Sequence, residues 1–137
     1  MSVAHHRRAH EGAIHTARWN DPAHRGDGTR ILVCRYRPRG VRHEDETWDE
    51  WIKDVSPSPE LLHAFRGKDQ AALGVPMFRR RYRTEMQAEP ARSQVRALAE
   101  RVAAGETITL LCSSSCTDEH RCHRTMLREL LLEQTGG

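Results

Sequence analysis

The chain has 137 residues, a length that supports one hydrophobic core and not two. Its 37% hydrophobic and 30% charged residues, with a net charge of +3, are ordinary globular values at the polar end. No apolar run approaches the roughly 20 residues of a membrane span, so a membrane protein is excluded along with collagen, coiled coil and disordered tail.

Residues 1–12 open with SVAHHRRAH and carry no apolar signal-peptide region; they read as a flexible extension of a cytoplasmic protein. Ala13 to Trp19 alternates loosely and suggests a short strand, and the Asp, Gly, Pro and Asn of residues 20–29 make a loop. Arg30 to Cys34 (RILVC) is a compact apolar run of the kind found in a buried strand. Pro38 and Gly40 then break a basic loop. Trp48, Trp51, Ile52 and Val55 fall at i, i+3, i+4 and i+7, which predicts a helix with an acidic opposite face.

Ser58 followed by Pro59 predicts a capped helix over 60–65. A further helix runs from Pro76, with Phe78, Tyr82 and Met86 on one face. Pro90 opens the next, with Val95, Leu98 and Val102 inward and Gly105 ending it. Thr107 to Cys112 (TITLLC) is the second clear strand, and Asp118 is expected to cap a last helix that turns Leu127, Leu130 and Leu131 inward. Strands flanked by helices predict an α/β fold: one compact domain over 13–133 with a small, mostly parallel sheet in Rossmann-like layers, and a short tail at 134–137.

Charge is unevenly spread. Residues 1–43 carry nine Arg against Glu11, Asp21 and Asp27, a net of +6. Residues 44–60 carry seven acids against Lys53, a net of −6. Such a pairing suits an anion site, a nucleic-acid surface or simple mutual neutralisation.

The stretch RILVCRYRPRGVRHEDETWDEW, continued by IKDVSPSPELLHAF, then FRRRYRTEM and TITLLCSS, resembles the YeaO-like branch of the domain of unknown function 488 family. The upstream IHTARW and GDGTR segments fit as well, so the resemblance covers about 13–133. It implies a compact α/β fold and brings no established activity with it. The chain departs from that branch at Cys34, where an acid is usual, and at Arg37, where Trp is usual. Its CSSSCTDEHRCHR segment is more similar to another branch with a Cys to Cys-His-Arg pattern.

All four cysteines lie at or after a strand end. In open parallel sheets ligands bind beyond the carboxyl ends of strands, so Cys34 and Cys112 should meet there if their strands are neighbours. The plainer reading makes them small buried hydrophobes. A disulfide framework does not suit a reducing compartment. Cys34, Cys112, Cys116, Cys122 and His123 offer soft ligands for a transition metal or haem, although gaps of three and five residues depart from the usual two-residue zinc spacing. A phosphatase loop needs Arg six residues after its Cys; counting from Cys34, Cys112 and Cys116, Gly40, Asp118 and Cys122 stand there instead.

A looser anion site fits better. Ser113 and Ser114 follow a strand and precede a helix start, where backbone amides attract anions. Arg121 and Arg124 lie in that region, and Arg35, Arg37 and Arg39 project from the other strand end. Cys112 or Cys122 is the candidate nucleophile, with the Cys122 thiol acidified near the helix start, and His123 is its proton partner. The favoured partner is a small anionic, phosphate- or nucleotide-like ligand. The competing partner is nucleic acid, held by the Arg and Tyr of 35–42 and 79–83, although FRRRYRTEM also reads as an amphipathic helix.

Overall fold

The computed structural model describes residues 11–67 and 71–136, so most of the N-terminal extension, residues 1–10, lies outside the described residues. Four strands form one sheet: β1 (Ile14–Arg18), β2 (Thr29–Leu32), β3 (Glu50–Trp51) and β4 (Ile108–Cys112). Their order is β1-β4-β2-β3 and every pairing is parallel. The helices are α1 (Pro59–Arg66), α2 (Val75–Glu85), α3 (Ala91–Ala103) and α4 (His123–Gly136). The last of these takes in most of the expected C-terminal tail. The expected α/β architecture with a parallel sheet is therefore the one observed.

β4 sits between two partners and is buried at all five positions. That explains its unbroken apolar run, because a parallel strand covered on both faces needs no polar alternation. Ile108 and Leu110 of β4, with Ile14, Ile31 and Val33, join the helix side chains Leu61, Phe78, Tyr82, Val95, Leu98, Val102, Met126, Leu127 and Leu131 in one core. Residues of the opposite parity meet the loops instead: Thr109 Oγ1 donates to the Asp27 carbonyl, and Arg30 Nε to that of Thr47.

α1 begins as expected, with Pro59 in its first turn and Ser58 Oγ accepting from the Leu61 amide; such a cap contributes about 1 kcal/mol. Phe78 and Tyr82 are buried on α2, and Val95, Leu98 and Val102 on α3.

The helix expected over 48–55 is absent. The edge strand β3 and a 3-10 turn (Lys53–Val55) take its place. The reason is tertiary. The Asp49 amide donates to the Arg30 carbonyl, its carboxylate accepts from the Arg30 amide, and Arg101 clamps Glu50. Pairing with β2 takes the segment's backbone groups, which overrides a helical period. Asp118 also differs from expectation: it caps the 3-10 turn Glu119–Arg121, and α4 starts only at His123. The acidic stretch does neutralise the basic arm in part, through Arg37–Glu46 and Arg42–Asp45.

Candidate functional site

β2 and β4 are parallel neighbours, so their carboxyl ends meet, as the strand-end argument requires. Cys34 follows β2 and Cys112 closes β4; their sulfurs stand 3.7 Å apart. Chain reversal after β4 brings two more sulfurs to the same place. Cys116 Sγ lies 3.3 Å from Cys112 Sγ, and the sulfurs of Cys112, Cys116 and Cys122 all lie within 4.8 Å of one another. These three cysteines form a group that could hold a metal ion. All four cysteines are free thiols.

His123 is buried beside them. Its Nε2 is 2.8 Å from the Val33 carbonyl, which can only accept, so Nε2 carries the proton and Nδ1 keeps its lone pair. That Nδ1 faces Cys112 Sγ at 3.9 Å. Burial holds the imidazole pKa below its usual value, so His123 is neutral at pH 7.

The thiols are unequal. Hydrogen bonding with Cys112 and Cys122 draws the Cys116 pKa well down, and the positive charge of Arg124 acts the same way. Donating to Cys116 pushes the Cys112 thiol up, and donating to Cys112 and Cys116 pushes Cys122 up, with burial adding to both. Within the cluster the shift is thus downward at Cys116 and upward at Cys112 and Cys122. The acidified thiol expected at Cys122, beside the helix start, lies instead in the preceding loop. The signal that could have identified it is the CSSSC spacing, which turns the second Cys back over the first.

A pocket of about 820 Å³ opens over this floor. Of the residues singled out in the sequence, Cys34, Cys112, Cys116, Cys122, His123, Arg35, Arg37, Arg39, Ser113, Ser114 and Arg121 all line it. Arg124 does not; it borders a smaller pocket with Arg18 and Asp21. Local pattern does not mark Trp19, Pro57, Phe65 and Arg66 as site residues; they complete the wall from elements distant in the chain.

The arginines differ in what they have left to offer. Arg35 donates to the carbonyls of Pro57 and Ser56, and Arg37 is paired with Glu46 over the Trp48 ring. Arg39 is exposed and has no ion pair among the described residues. Arg121 lies with its guanidinium carbon 4.9 Å from the Phe65 ring centroid, which orients it without using its donors. The second basic segment is partly engaged: Arg79 and Arg83 pair with Glu129 and Glu133, and Tyr82 is buried. Among the described residues no helix is long and apolar enough to cross a membrane.

Fold and site together define a small parallel α/β domain with a thiol-floored, arginine-rimmed pocket at its strand ends. Residues 14–135 match the family model described as the active DUF488-N3 subclade. The chain belongs to the DUF488 family, as the resemblance implied. It is 36% identical over 118 residues to the uncharacterized protein YeaO of Escherichia coli, covering 86% of this chain and 96% of that protein. It is also 32% identical over 91 residues to the uncharacterized proteins Mb3100c of Mycobacterium bovis and Rv3073c of Mycobacterium tuberculosis, covering 66% of this chain and 75% of theirs. No solved structure matches the chain.

Proposed function

We propose that the protein binds a small anionic, phosphate- or nucleotide-like ligand in this pocket and acts on it through the Cys116 thiolate. The observation that carries the reading is the sulfur cluster: two buried thiols, Cys112 and Cys122, lie within 4.8 Å of the half-buried Cys116 sulfur on the pocket wall. A thiolate stabilised in this way is a nucleophile at neutral pH. Arg39 and Arg121 hold the ligand's charge, while Ser113 and Ser114 offer hydroxyls beside it. His123, neutral and fixed through Val33, is available to accept a proton at Nδ1. The matching family model is described as active, which sits well with a reactive thiol. Free thiols also suit a reducing compartment, and the reading places the protein in the cytoplasm.

The small ligand is favoured over nucleic acid because the arginines of 79–83 are partly paired with glutamates, whereas Arg39 and Arg121, without an ion pair among the described residues, line the pocket. The test is a titration of the reduced, chelator-treated chain with inorganic phosphate and pyrophosphate, followed by the fluorescence of Trp19 on the pocket wall. The double variant Arg39→Ala/Arg121→Ala should weaken binding at least about tenfold, since each charge-assisted bond contributes roughly 1.5–3 kcal/mol. An unchanged affinity would contradict the anion assignment.

A further inference from the structure

We propose that Cys112, Cys116, Cys122 and the Nδ1 of His123 form a binding site for one soft divalent metal ion of the zinc class. Three sulfurs reach this point from three segments, the end of β4, the loop behind it and the residue before α4, and lie within 4.8 Å of one another. A tetrahedral zinc site with Zn–S bonds of about 2.3 Å has sulfurs about 3.8 Å apart. The 3.3 Å between Cys112 and Cys116 is about half an ångström short of that edge.

The imidazole supplies an independent observation. Metal-bound histidines generally donate their second ring N–H to a carbonyl or carboxylate, which fixes the tautomer and aims the free lone pair at the ion. His123 makes that bond, from Nε2 to the Val33 carbonyl, and its bare Nδ1 faces Cys112 Sγ at 3.9 Å. In a tetrahedral site the corresponding N···S edge is about 3.6 Å.

The donor set selects the ion. Thiolates and imidazole suit zinc and its softer neighbours, whereas magnesium and calcium require oxygen ligands that are lacking here. The sulfurs converge on a point instead of offering one axial ligand, which favours a single ion over haem. Metal binding displaces the thiol protons of Cys112 and Cys122 to solvent, Cys116 being a thiolate already, and the three thiolates outweigh the ion's charge by one. Arg35 and Arg124 lie close enough to influence His123 and would offset the excess. Cys34, 3.7 Å from Cys112, stands next to the group and is not assigned as a ligand. The inference concerns the same pocket floor as the anion reading but goes beyond it: with the ion in place, Cys116 serves as a ligand and is no longer a free thiolate.

The full chain, reduced and freed of metal, is titrated with Co²⁺ and then Zn²⁺ without phosphate. The expected result is one Co²⁺ per chain, with thiolate-to-cobalt charge-transfer absorption in the near ultraviolet and tetrahedral bands in the red, both abolished by Zn²⁺. The charge-transfer band matters because His5, His6 and His10 of the extension can also take up metal, but give no such band. Cys116→Ser and Cys122→Ser should each lower affinity at least about 100-fold and His123→Gln about 10- to 100-fold. Cys34→Ser should leave it within about threefold. Where a variant fails to fold, alkylation of the wild-type chain decides: Zn²⁺ should protect Cys112, Cys116 and Cys122 and leave Cys34 open. Absence of the thiolate band, its survival in Cys122→Ser, or failure of Zn²⁺ to protect those cysteines overturns the site. Loss of binding in Cys34→Ser with retention in His123→Gln overturns the assignment of the fourth ligand. The phosphate titration uses chelator-treated protein, so failure of either idea leaves the other standing.

Discussion

His123 Nε2 donates to the Val33 carbonyl at 2.8 Å, so the first residue of α4 is bonded directly to the residue that follows β2. This bond carries the chain from the cysteine loop back onto the sheet and positions the sulfur cluster over the strand ends. Replacing the ring by His123→Phe leaves the Val33 carbonyl buried without that donor, and should cost about 1–3 kcal/mol in urea denaturation.

The same residue gives stability a pH dependence. Burial keeps His123 neutral in the fold, whereas the unfolded chain takes up a proton there near pH 6.5. Its contribution is complete above that pH and declines as pH falls below it, with a limiting slope of about 1.4 kcal/mol per pH unit. Denaturation midpoints at pH 7.5 and pH 5.5 should differ less in His123→Phe than in the wild type. An equal difference in both would contradict the assignment.

Tyr82 is fully buried on α2 and its hydroxyl donates to the Val55 carbonyl at 2.7 Å. Tyr82→Phe retains the ring and loses only that bond, so the expected loss is about 1–2 kcal/mol. An unaltered denaturation midpoint would show that the bond contributes nothing.

Gly28 combines a φ of 65° with a close approach to β4's entry: a Cβ there would lie 2.0 Å from the Thr107 carbonyl oxygen. Gly28→Ala should therefore cost at least about 3 kcal/mol through strain and displaced backbone. Gly26→Ala, two residues earlier and with nothing within 4 Å, should stay within about 0.5 kcal/mol of the wild type. Thermal melts of the two variants make the comparison.

Arg101 joins Glu50 of the edge strand to Glu106 ahead of β4. The three side chains are 29% to 39% exposed, so solvent screens the network and Arg101→Ala should cost only about 1 kcal/mol. Raising the salt concentration to about 1 M should reduce that difference, because the Debye length contracts to about 3 Å.

Much of this fold was legible in local pattern. RILVC and TITLLC announce buried strands because both faces of a parallel strand are covered, and Ser58-Pro59 announces a helix start through its own hydrogen bond. The cysteine convergence followed from one further assumption, that the two strands are neighbours. What local pattern missed was set by distant partners. Trp48 to Val55 has a helical period but is captured by Arg30 and Arg101, and Trp19 and Phe65 reach the pocket through tertiary packing. Which thiol carries the charge depends on hydrogen-bond direction within the cluster, a property of the folded geometry that sequence spacing does not encode.

The central claim is that Cys116 is a thiolate at neutral pH, and its alkylation rate tests it most directly. Reduced, chelator-treated protein is treated with iodoacetamide from pH 5.5 to 9.5, and modification at each cysteine is read by peptide mass spectrometry. Because two neighbouring thiols lower the Cys116 pKa, its rate should already be on a plateau between pH 6 and 8. A Cys116 rate that climbs about tenfold per pH unit and levels off only above the ordinary thiol pKa of about 8.5 would contradict the account.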